Sequence, residues 1–101
     1  MTITWPDRLA TCRSEAEVLA TCREWMATWS PADLAALPPA LRPGRLFGAD
    51  DVAGLAVDAV RRDQSGLHDP GVHRLARFFS LASARMAEIL AERKRAQDTM
   101  P

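Results

Sequence analysis

Cys12, Cys22, His68 and His73 are the side chains best suited to ligating a metal. A structural zinc site takes four thiolate or imidazole donors and usually draws two from a tight Cys pair two to four residues apart. Here nine residues separate the cysteines, and the two histidines straddle the start of a helix. That spacing does not build a zinc site. Cys22 reads instead as a small core residue, and both histidines as surface or capping groups.

Nucleophilic catalysis requires a Cys or Ser held beside a base and an orienting acid. The chain has no Gly-rich elbow, no signature around either cysteine and no tyrosine. Phosphate binding has one candidate, Arg42-Pro43-Gly44-Arg45, where two guanidinium groups flank a glycine and can hold an anion. It lacks the repeated glycines and following lysine of a phosphate-binding loop, and reads as a solvated turn. The expectation is a non-enzymatic protein with no catalytic residue, no metal and no cofactor.

Thirteen Lys and Arg balance thirteen Asp and Glu. Zero net charge argues against a dominant nucleic-acid or anionic-membrane surface, because such binding is driven by clustered positive charge. The alternative reading, a nucleic-acid-binding regulator, rests on Arg61, Arg62 and the Arg93-Lys94-Arg95 cluster. A helix-turn-helix does not fit, since Pro38, Pro39 and Pro43 interrupt the region where its three- or four-residue turn would lie. Bases near the end of the last helix are also what its dipole favours.

Protein contact has positive support. Three Trp and three Phe are more aromatic bulk than about four helices of this size easily hide, and aromatic residues and Arg are enriched at interfaces. Trp5, Trp29, Phe78, Leu81 and Arg85 are the predicted partner-binding residues, and a homodimer through the last helix is the leading expectation. No apolar run is long enough to span a bilayer and the N-terminus lacks a signal-peptide pattern, which points to the cytoplasm and to two free thiols.

The elements that must position these residues are all helical. Composition at 48% hydrophobic and 26% charged is that of a globular chain, and 101 residues suit a single domain whose last residues, 98–101, fray. Thr4 with Asp7 caps a short helix to about Cys12, buried through Trp5 and Leu9. Ser14 with Glu17 forms a capping box, and Val18, Leu19, Cys22, Trp25, Met26 and Trp29 then recur at helical spacing, predicting a helix from Ser14 to Trp29.

Ser30-Pro31-Ala32-Asp33 opens a short helix to Leu37, with Leu34 and Leu37 inward. Pro38-Pro39 stops it. Leu41, Leu46 and Phe47 pin the connector that follows. A helix from Asp50 to Asp63, capped by Asp50 or Gly48, buries Val52, Leu55, Ala56, Ala59 and Val60 and allows Asp58 to pair with Arg62. Residues 62–68 loop back.

Asp69-Pro70 starts the organising element, a helix to Gln97. Val72, Leu75, Phe79, Ala82, Met86, Ile89 and Leu90 form its core stripe, Phe78 lies on one flank, and Ala76, Ser80, Ser83, Ala84, Ala87 and Ala91 line the other. Leu81 points nearly opposite Phe79. Short connections predict an all-α antiparallel bundle of about four helices with a long C-terminal helix.

Overall fold

The computed structural model describes residues 4–38, 41, 48–65 and 69–98. All elements among them are helices: α1 (Trp5–Thr11), α2 (Glu15–Met26), α3 (Pro31–Ala36), α4 (Ala49–Gln64) and α5 (Pro70–Asp98). The all-α bundle with a long final helix is therefore what the chain forms. The expected roles of Arg42, Arg45, Leu46, Phe47 and His68 lie outside the described residues.

Each helix start has a local cause. Thr4 Oγ1 accepts from the Asp7 amide, Ser14 Oγ from Glu17 and Ser30 Oγ from Asp33, each satisfying an N–H that has no partner in the first turn. Asp69 Oδ1 accepts from both Gly71 and Val72. The expected box at Ser14 is displaced by one residue, because the Glu17 carboxylate takes the Arg13 amide at 2.6 Å. Gly48 is the N-cap of α4, and Asp51 accepts from its amide.

Helix α2 ends at Met26, three residues before the predicted Trp29, because Ala27 and Thr28 turn the chain toward Pro31. Trp29 is nevertheless buried. It meets the start of α5, where a Cβ on Gly71 would lie 3.6 Å from Leu37 and 3.7 Å from the Trp29 ring. Both distances are ordinary van der Waals contact; the tighter neighbour is the capping Asp69 Oδ1, at 3.3 Å.

The core runs along α5. Val72, Leu75, Phe79, Ala82, Met86 and Ile89 are buried, as the spacing predicts. Leu90 departs from that stripe and is exposed, as are residues 91–98. The reason is length: α4 begins only at Ala49, so the last turns of the 29-residue α5 outrun their neighbour. Helices α1, α2 and α4 all pack on α5. Helix α4 runs antiparallel to it, and beside their connection His73 Nδ1 lies 3.0 Å from Asp63.

Candidate functional site

One flank of α5 is closed by aromatic packing. Phe78 stacks on Trp25 with centroids 4.0 Å apart and planes at 2°, and Phe79 meets Trp25 edge-on at 5.9 Å. Trp29 adds a second edge contact to Trp25 at 5.4 Å, and Trp5 one to Phe78 at 6.4 Å. Edge-to-face and offset contacts align the positive ring rim with a negative face, adding attraction beyond the buried area. Two guanidinium groups cover the margin, Arg74 over Trp29 and Arg8 over Trp5, each 4.6 Å from the ring centre.

This packing corrects the inference drawn from aromatic surplus. Phe78 and Trp29 are each 5% exposed and Trp5 is half-buried, so the chain hides most of this bulk in its own cluster. The sequence shows Phe78 displaced from the centre of the core stripe, but not that α2 would bring Trp25 flat against it.

Arg85 is also occupied internally. Its Nε and Nη2 donate to the Cys12 carbonyl at 3.1 and 2.6 Å, and its Nη1 donates to Glu88 at 2.9 Å. Cys12 is the C-cap of α1, so the cation sits at the negative end of that helix and satisfies a terminal carbonyl. With its side chain 15% exposed, Arg85 clips α1 to α5. Of the five predicted partner-binding residues, Leu81 alone is exposed, at 46%.

The opposite flank of α5 is open. Ala53, Ala56, Val57 and Val60 of α4 and Ser80, Ser83, Ala84 and Ala87 of α5 line a groove of about 460 Å³, with Arg61 at one end. Small side chains on the facing surfaces let the two helices approach but do not fill the shoulder above their seam. Val57 is 49% exposed there. The small flank of α5 was legible in the sequence; Ala53 and Val57, which extend the apolar surface of α4 beyond its core stripe, were the signal left unused.

The basic residues do not form one patch. Arg61 and Arg62 end α4, close to the start of α5, whereas Arg93, Lys94 and Arg95 lie about 30 Å away near the other end of α5. The expected Asp58–Arg62 ion pair does not form; both residues line a shallow depression with Arg61 and Ser65.

Both thiols are buried and free. Cys12 Sγ donates to the Arg8 carbonyl at 3.2 Å and lies 3.5 Å from Thr21 Oγ1. Burial, with a smaller contribution from neighbouring Cys12, pushes the Cys22 thiol from 9.0 up to about 12. A thiolate is therefore strongly disfavoured there, as for an inert core residue.

Among the described residues, no helix is long and apolar enough to cross a membrane. Comparison with protein-family models, with curated proteins and with solved structures finds no match in any of the three.

Proposed function

We propose that this chain is a cytoplasmic, non-enzymatic helical protein that acts through protein contact, and that its partner is a second copy of itself. The observation that carries the reading is the open apolar groove of the α4–α5 hairpin, with half-exposed Val57 on its wall. Two adjacent helices sharing an uncovered apolar shoulder are half of a four-helix core, and an identical hairpin supplies the other half. The self-association element is then the last helix with α4 beside it, through the flank bearing Ala84 and not the one bearing the buried Phe78.

Light scattering is expected to show a particle of twice the 11.1 kDa chain mass. Val57→Glu places a charge in the apolar contact without touching the monomer's core, so it should yield a folded monomer with undiminished helical circular dichroism. A wild-type chain that stays at its monomer mass from micromolar to millimolar concentration removes the reading.

A further inference from the structure

The charges bordering the groove say how a second copy would sit on it. Asp50 and Arg61 on α4 are eleven positions apart, as are Arg77 and Glu88 on α5. Eleven residues is about three helical turns, so each acid lies on the same side of its helix as its base, about 16 Å away. At 100° per residue, Asp50 and Arg61 fall beside Val57 on α4, and Arg77 and Glu88 beside Ala84 on α5, along the two outer margins of the groove. All four residues are exposed. Asp50, Arg61 and Arg77 make no ion pair among the described residues; Glu88 accepts from Arg85 through Oε2 alone, and its side chain is 63% exposed, so its other oxygen can face a second copy.

Because α4 and α5 are antiparallel, their opposite charge orders along the chain become the same order in space. Both bases stand at the end near the α4–α5 connection, and both acids stand at the other. A parallel pairing of two such faces would set Arg against Arg and Asp or Glu against its own kind. An antiparallel pairing sets Arg61 opposite Asp50 of the second copy and Arg77 opposite Glu88 of the second copy. Each pair occurs twice across one symmetric interface.

Resting on the self-association reading, we infer that two copies pair antiparallel across the groove, α4 on α4 and α5 on α5. The two-fold axis crosses the hairpin level with Leu55 and Ala82, midway between the charged ends. The groove floor supplies the apolar contact, and the four ion pairs at its margins select the orientation.

The test is a charge exchange. R61E/R77E and D50R/E88R, made separately, should each weaken self-association by about tenfold or more, since attraction becomes repulsion at both margins. Mixed in equal amounts, the two variants should form a heterodimer approaching wild-type affinity. Helical circular dichroism of each variant alone checks that it folds. Ala84→Cys in the otherwise wild-type chain provides an independent readout: near the axis, it should be joined to the same residue of the second copy by a short bifunctional thiol reagent, while Cys12 and Cys22 are buried.

A dimer indifferent to both exchanges, or one in which Ala84→Cys fails to cross-link, overturns the antiparallel arrangement and leaves self-association standing. A monomeric wild-type chain overturns both.

Discussion

The two flanks of α5 treat their neighbours in opposite ways. Around Phe78, large rings from α1, α2 and α5 interlock, with Trp25 touching Trp29, Phe78 and Phe79. Around Ala84, Ala and Ser side chains face more Ala across α4, and the space above the seam is left open. Bulky residues close a surface by reaching across it; small ones bring backbones together and leave shoulders. One helix can therefore be the centre of a core on one side and an unfinished surface on the other. The aromatic flank should govern stability, and the open flank should govern association.

The sharpest way to break that division is Trp25→Ala. It removes the ring on which Phe78 stacks and should cost about 4 kcal/mol in urea unfolding. A loss below about 1 kcal/mol would mean that the aromatic flank does not dominate the fold.

Arg85→Met comes next. It keeps much of the aliphatic stem but leaves the Cys12 carbonyl without its charged donors, at an expected loss of about 2 kcal/mol. Unfolding should be more sensitive to this change than association, since Arg85 faces α1 rather than the groove. A large drop in self-association with unchanged stability would instead assign Arg85 to the partner surface.

The smallest effect near neutral pH concerns Cys22. Its folded thiol stays protonated until about pH 12, whereas the unfolded thiol ionises near 9.0. The unfolded state therefore binds fewer protons between these values. The stability this group contributes is fully present below 9.0 and is lost as pH rises toward 12. Urea unfolding at a series of alkaline pH values should show the decline, and Cys22→Ala should flatten it. Under native conditions at pH 8, Cys22 should react with a thiol reagent only on unfolding.

How legible all this was in the sequence depends on the range of the interaction. The caps at Thr4, Ser14, Ser30 and Asp69 connect residues two or three positions apart, so side-chain type and spacing suffice to place the helix starts. Other contacts cross the chain. The Ala49 amide that opens α4 donates to Glu15, 34 residues away, and Arg85 reaches a carbonyl 73 residues away. Their local sequence signals are those of any surface Glu or Arg on a helix.

The sequence by itself determined five things: the helical class, the positions of the helix starts, the core stripe of α5 except for its last member Leu90, the small-residue flank of α5 and the balance of charge. Side-chain size and the 3.6-residue repeat are local properties that survive whatever packs against them. Only the tertiary structure decided which flank is closed. That depended on α2 delivering Trp25 to Phe78 and on α4 ending its cover short of Leu90. The antiparallel hairpin likewise decided that Arg61 and Arg77 stand toward one end, and Asp50 and Glu88 toward the other. Burial and charge complementarity are properties of pairs of surfaces, and the pairing exists only once the helices have met.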